Sequence, residues 1–160
     1  MSSRFLIAAV ASTMLAGAAN AATFFTDAGA FNAATTGLTN SNFSSVAPPG
    51  AFGTAPSYTV AGLTFDNAAD DFLINASFFG GPIYGTTTIY SGQSGARTTI
   101  SFAGATAFGM VYGSYANEGS PISFTLSDNS VFSTTLPGTR STPAFFGFTS
   151  TGPITSITVN

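Results

Sequence analysis

The run Asp66-Asn67-Ala68-Ala69-Asp70-Asp71 places three carboxylates and one amide within six residues. Calcium gathers roughly six to eight oxygen ligands from carboxylates, amides and backbone carbonyls. Asp66, Asn67, Asp70 and Asp71 are therefore the candidate set for a structural Ca²⁺ ion. Their spacing is not that of an EF-hand loop, and the same run also reads as a solvated acidic loop. A second chemistry is open to the tyrosines. Tyr84, Tyr90, Tyr112 and Tyr115 can stack on a sugar ring while the phenol keeps one end wet, and Asn117 adds an amide. Gly80-Gly81-Pro82-Ile83-Tyr84-Gly85 and Tyr112-Gly113-Ser114-Tyr115-Ala116-Asn117-Glu118 read as loops that present an aromatic ring. The tyrosines also fit as caps on a core, and the absence of Trp counts against a strong polysaccharide binder.

Glycoside hydrolysis asks for two carboxyl groups about 5–9.5 Å apart across a sugar. The acids beyond the N-terminal stretch are Asp27, Asp66, Asp70, Asp71, Glu118 and Asp128. Asp70 and Asp71 are neighbours and would face opposite sides of a strand. Asp27 suits a helix cap, and Glu118 and Asp128 suit turns. A small glycan hydrolase stays an alternative, but the acids have ordinary structural duties, and the expectation is a non-enzyme with no catalytic residues. Composition excludes more. With no His and no Cys, there is no Ser-His-Asp or Cys-His arrangement, no disulfide, and no zinc, haem or iron–sulfur site of the usual kinds. Three arginines and no lysine cannot make the basic footprint of a nucleic-acid binder. The glycine-rich stretches at 92–95 and 113–119 carry no lysine and open no helix, so neither is a phosphate loop. No cofactor is expected beyond the structural calcium.

The elements that must position these residues read as strands. Ile122, Phe124 and Leu126 alternate with Ser123, Thr125 and Ser127, the period of a half-buried strand. Asp128-Asn129 follows as a turn, and 131–136 returns to make a hairpin closed by Pro137-Gly138. Thr98–Phe102 points Ile100 and Phe102 inward, and Ala107–Tyr112 aligns Phe108, Met110 and Tyr112, with Gly104 in a short connection between the two. Phe145–Thr149 and Ile154–Val159 form a later pair separated by Ser150-Thr151-Gly152-Pro153. Tyr58–Val60 and Leu63–Phe65 flank Ala61-Gly62, and Phe72–Asn75 and Thr86–Tyr90 are further strands. One short helix begins at Asp27, capped by Thr26 or Asp27. Residues 35–56 read as a long wrapping loop pinned by Phe43 and Phe52. Strand starts spaced about 8–12 residues apart predict an all-β sandwich or barrel rather than βαβ units, and the many phenylalanines supply the core of an antiparallel sandwich. Thr (24) and Ser (20) supply its outward positions in place of charge, which is 6% of the chain. An exposed Thr/Ser edge with so little charge is open to pairing with another chain.

Residues 1–21 are excluded from the fold. Arg4, an apolar run from Phe5 to Ala19, and Ala19-Asn20-Ala21 follow the order of a secretory signal peptide with cleavage after Ala21. The run is shorter than the roughly 20 residues a bilayer-spanning helix needs. Residues 22–160 are expected to make one domain, exported and without a membrane segment.

Five stretches taken in order carry a resemblance. They are Phe25-Thr-Asp-Ala-Gly-Ala-Phe31, Ala61-Gly-Leu-Thr-Phe-Asp-Asn67, Ala107-Phe-Gly-Met-Val-Tyr-Gly-Ser114, Ile122-Ser-Phe-Thr-Leu-Ser-Asp128 and residues 145–159. Together they resemble the secreted bacterial β-sandwich proteins that carry a PEP-CTERM sorting tail. The resemblance implies a jelly-roll-like fold, export, contact with sorting machinery, and residence at the cell surface or in an exopolysaccharide (biofilm) matrix. It also implies extracellular polysaccharide as a partner and raises the calcium expectation, with a calcium-dependent carbohydrate-binding module as the alternative function. Two departures stand out. Asn42-Phe43-Ser44 occupies the place of an acidic Asp-Phe-Glu, and no Pro-Glu-Pro tail precedes Asn160, which is read as truncation.

Overall fold

The computed structural model describes residues 21–40, 57–67, 97–113, 119–136 and 143–160, together with the backbone of three further strands at 52–55, 72–75 and 88–91. The architecture is all-β with very little helix. In chain order the elements are β1 (Ala22–Phe25), α1 (Ala28–Ala33), β2 (Phe52–Ala55), β3 (Ser57–Val60), β4 (Leu63–Asn67), β5 (Phe72–Asn75), β6 (Thr88–Ser91), β7 (Thr98–Tyr112), β8 (Pro121–Leu126), β9 (Val131–Thr135) and β10 (Ala144–Val159). A seven-stranded sheet runs β3-β4-β7-β10-β8-β9, with β1 also paired to β10; β2, β5 and β6 form a three-stranded sheet. Every described pairing is antiparallel.

Two long strands organise the main sheet. Thr98–Phe102 and Ala107–Tyr112, expected as two strands, are one continuous β7; Phe145–Thr149 and Ile154–Val159, likewise expected as two, are one continuous β10. The two long strands pair with each other. The glycines and proline between the halves bend the chain without reversing it. Thr149 faces Ala107 and Ile154 faces Ala105, so β10 carries extra residues there; Ser156 then faces Ser101, so β7 carries the next excess. Such bulges bend a strand and sharpen its twist. Gly104 sits at the bend with φ +116, where L side chains are strained, and Pro153 lies against it. Proline lacks the ladder N–H and is tolerated at a bulge.

The consequence is that the sheet closes over its own apolar face. Phe124 of β8 is the ladder partner of Val159, yet its ring stacks on Phe146 at 4.0 Å and 10°. At roughly 3.3 Å per residue a straight β10 would hold Phe146 and Val159 about 40 Å apart. The bend also lets Phe102 and Phe108, on either side of Gly104, stack at 5.3 Å. Phe24 and Phe132 join the cluster, 5.6 Å from each other and 6.1 and 5.7 Å from Phe146. Phe124, Phe146, Phe148, Ile154 and Ile157 are wholly buried, with Val60, Phe65, Ile100, Ile122 and Leu126 around them. Each fully buried Phe contributes roughly 1.5–3 kcal/mol before conformational entropy is counted.

The hairpins follow their turn residues. Ala61 and Gly62 both take positive φ (50 and 79), the geometry of the two-residue turn that matches strand twist. At the β8–β9 turn Asn129 has φ 70 and its N–H donates to the Leu126 carbonyl at 2.9 Å; the Ser130 N–H donates to Asp128 Oδ1 at 2.9 Å. α1 is capped by Asp27, whose Oδ1 accepts from the Ala30 N–H at 2.7 Å. The expected loop over 35–56 is corrected in part: β2 lies within it and pairs with β5, while Phe43 lies outside the described residues. The proposed signal peptide, except Ala21, also lies outside them.

α1 covers the opposite, outer face of the sheet. Gly109 and Gly147 are ladder partners, and Phe25 pairs with Gly147 on the other side. Over this glycine pair lie Phe31 and Phe145, whose rings are 5.4 Å apart, with Phe25 edge-on to Phe31 at 5.7 Å. Phe31 is 3% exposed. A Cβ at Gly109 would stand 2.7 Å from Phe145 and 2.9 Å from Phe31; one at Gly147 would stand 2.9 Å from Phe145 and 3.0 Å from Phe31. Gly109→Ala and Gly147→Ala are each expected to destabilise the fold by about 1–3 kcal/mol, the usual range for overpacking. Urea unfolding midpoints at unchanged slope check this; an unaltered midpoint in both variants would show that the rings move aside freely.

Candidate functional site

Of the candidate calcium ligands, Asp66 and Asn67 are described. They end β4, with Asp66 between Ser57 of β3 and Thr99 of β7, and Asn67 opposite Thr98. Strand alternation sends them to opposite faces. Asp66 is exposed, whereas Asn67 is 2% exposed and engaged within the fold. An ion beside the Asp66 carboxylate would therefore lie across the sheet from the Asn67 amide. Asp70 and Asp71 lie outside the described residues. Among the described residues no three His, Cys, Asp or Glu side chains gather closely enough to hold a metal.

Of the candidate sugar platforms, Tyr84, Tyr115 and Asn117 lie outside the described residues. Tyr90 is placed by its backbone in β6, opposite Leu73. Tyr112 ends β7 on the inward face, half-buried, its ring edge-on to Phe124 at 5.0 Å and 73°. Burial raises its phenol above the ordinary value of 10.0, and a hydrogen bond with the Thr134 side chain partly offsets this. That placement ties β7 to β9 across the core, so Tyr112 acts as a cap.

A hollow of about 270 Å³ opens where α1 ends against the bend of β7 and β10. Thr35 and Thr36 come from the segment after α1, Thr106 and Ala107 from β7, and Thr149 and Ser150 from β10. Among the described residues the lining offers hydroxyl groups and no ionisable side chain. Two hydroxyls are already set by the backbone: Thr35 Oγ1 donates to the Phe31 carbonyl at 2.8 Å, and Ser150 Oγ accepts from the Gly152 N–H at 3.3 Å. The hydroxyls of such a surface can exchange hydrogen bonds with water or a neutral polyol. The hollow was not legible in the sequence. Its threonines are scattered over more than a hundred positions and carry no motif, and only the bend brings them together.

No protein-family model matches the chain, and neither a curated protein nor a solved structure was found to match it. Nor does any helix among the described residues have the length and apolar character to cross a membrane. The geometry does account for several sequence motifs. Phe25 to Phe31, Ala107-Phe108-Gly109 and Phe145-Phe146-Gly147-Phe148 meet at the glycine pair under α1. The glycines and outer phenylalanines serve the helix contact, while Phe108, Phe146 and Phe148 serve the core.

Two outcomes follow from these placements. Asn67→Ala is expected to cost about 1–3 kcal/mol, the range for removing one partner of a buried polar contact, while Asp66→Ala stays within about 0.5 kcal/mol; equal losses in denaturant unfolding would contradict the opposite-face assignment. Tyr112 holds its proton more tightly folded than unfolded. Its contribution is therefore complete below the unfolded value near pH 10 and declines as pH rises through the folded value. A stability profile across that alkaline range should flatten in Tyr112→Phe relative to the parent chain, and identical profiles would remove Tyr112 as the titrating group.

Proposed function

We propose that this chain is an exported, non-enzymatic β protein of the cell surface or extracellular matrix, of the kind that PEP-CTERM sorting serves, and that it works as a structural or glycan-contacting component. The observation that carries the reading is the division of the strands between phenylalanine inside and hydroxyl outside. On β8 and β9, Ile122, Phe124, Leu126 and Phe132 turn inward, while Ser133 and Thr135 are exposed. On the β3–β4 hairpin the Thr59 and Thr64 hydroxyls bond to each other across the strands at 3.0 Å. A neutral hydroxyl surface exchanges hydrogen bonds readily with hydrated polysaccharide. The stacking of Phe124 on Phe146 supports the accompanying fold reading, a jelly-roll-like sandwich with two layers across one core. Sorting machinery would act on the exported chain, and extracellular polysaccharide would be its partner.

Cell fractionation with N-terminal sequencing tests the address: the exported form should begin at Ala22, and a chain retained inside the cell with Met1 intact would overturn the reading. Co-sedimentation with the producing cell's own exopolysaccharide tests the contact. Retention that needs millimolar Ca²⁺ and is lost in Asp66→Asn would favour the calcium-dependent carbohydrate-binding module. Glycoside turnover abolished by Asp70→Asn or Glu118→Gln would favour the hydrolase.

A further inference from the structure

We propose that β9 is the contact through which two copies of this chain join, edge to edge and antiparallel, with Ser133 facing Ser133 of the second copy. β9 ends the order of the seven-stranded sheet. Its inner side is committed to β8: the Leu126 N–H donates to the Ser130 carbonyl at 2.9 Å and the Leu136 N–H to the Ser120 carbonyl at 2.8 Å. Hydrogen-bonded and non-bonded pairs alternate along an antiparallel ladder. Residues 130, 132, 134 and 136 therefore spend their backbone groups on β8. The N–H and C=O of Val131, Ser133 and Thr135 point the other way, where among the described residues no strand meets them.

Edges of this kind are normally blunted by charge, proline, a bulge or brevity. β9 has none of the first three. Its sequence Val-Phe-Ser-Thr-Thr is uncharged, and its register with β8 runs from Pro121↔Thr135 to Thr125↔Val131 without a shift. β3, at the other end of the sheet, is four residues long and presents a shorter ladder.

The second copy is the occupant because the strand is complementary to itself. Turned about Ser133, an antiparallel partner sets Val131 against Thr135 and Thr135 against Val131. β-branched residues pair well across strands, and Val131 is 54% exposed with no other described use for that surface. Each facing pair exchanges two backbone hydrogen bonds, about six in all. One twofold axis closes the contact, the commonest form of self-association. With charged residues at 6% and a net charge of −3, repulsion between copies is weak. The contact deepens the matrix reading, since it supplies a junction; the two fail separately, because a monomeric chain loses the junction while its export and polysaccharide retention stand unaltered.

Sedimentation of the purified chain over a wide concentration range should show a monomer–dimer equilibrium that persists in about 1 M salt, where charge contacts are screened. Ser133→Pro removes the outward N–H at a position where an edge strand tolerates proline, and it should leave a folded monomer with at least tenfold weaker association. The register has its own test. Val131→Lys with Thr135→Glu places opposite charges face to face in both halves and should dimerise, whereas Val131→Lys with Thr135→Lys should not. Circular dichroism confirms that each variant is folded. A monomer at every concentration overturns the proposal; so does a dimer indifferent to Ser133→Pro, or loss in both paired variants alike.

Discussion

The bend at Gly104 and Pro153 is the constraint on which the rest of the structure depends. A flat seven-stranded sheet with phenylalanine along one face would leave that face in water, and a six-residue helix could not cover it. Bending β7 and β10 together makes the sheet its own cover. Phe124, carried on β8 beside the C-terminal half of β10, then reaches Phe146 in the N-terminal half. The bend also relieves the cost of proline in a central strand. Pro153 lies among the residues where the ladder is already interrupted, so its missing N–H removes no regular bond. The Ser127 N–H donates to the Ser156 carbonyl and Ser127 Oγ accepts from the Thr155 N–H, both at 3.0 Å. The end of β8 is thereby fixed to the far side of the corner.

A second device works on the outer face. Glycine within a strand costs roughly 0.5–1 kcal/mol relative to alanine, and here two glycines face each other across β7 and β10. What offsets them is a shallow trough that admits the rings of Phe31 and Phe145 against bare backbone. α1 is too short to be stable alone. It is held by Phe31 seated over that trough and by the Asp27 cap. The N-terminal strand, the helix and both long strands are therefore one packing unit, and the segment after α1 is delivered to the hydroxyl-lined hollow beside the bend.

Local signals in the sequence were enough for the hairpins and the cap. Asp27 had its acceptor three residues ahead of a free N–H; Ala61-Gly62 and Asp128-Asn129 are short turns between strongly alternating runs. The alternation of Ile122, Phe124 and Leu126 correctly assigned the buried face. Each long strand resembles two strands in sequence for a physical reason. Glycine and proline interrupt alternation equally whether a chain reverses or merely bends, and only the partner strand decides between them: Gly104 and Pro153 lie against one another, so the interruptions coincide and the ladder resumes. β1 and β2 pair with the distant β10 and β5 rather than with a neighbour across a tight turn, so no turn signal marks them. The candidate site was legible only in part. Alternation alone separates Asp66 from Asn67 once both are known to lie in one strand, but their clustering in sequence masked this. Tyr112 had both readings open, and its six-residue alignment with Phe108 and Met110 favoured the inward one.

The hydroxyl surface is the other half of the same economy of charge. Most soluble proteins keep their outer faces wet with ions; here the outward positions satisfy themselves by short local bonds, as between Thr59 and Thr64 or from Thr35 to the Phe31 carbonyl. Such bonds involve no net charge, so ionic strength has little hold on them. A field this weak does not steer partners from a distance. Whatever the surface meets must be recognised at contact, by shape and by hydrogen bonds, and the same property that suits a neutral polysaccharide leaves an uncharged strand edge with little to keep another strand away. The proposed polysaccharide contact and the proposed self-pairing would thus be two consequences of one composition, separated by geometry: the first would use side-chain hydroxyls on the faces of the sheet, the second the backbone at its rim.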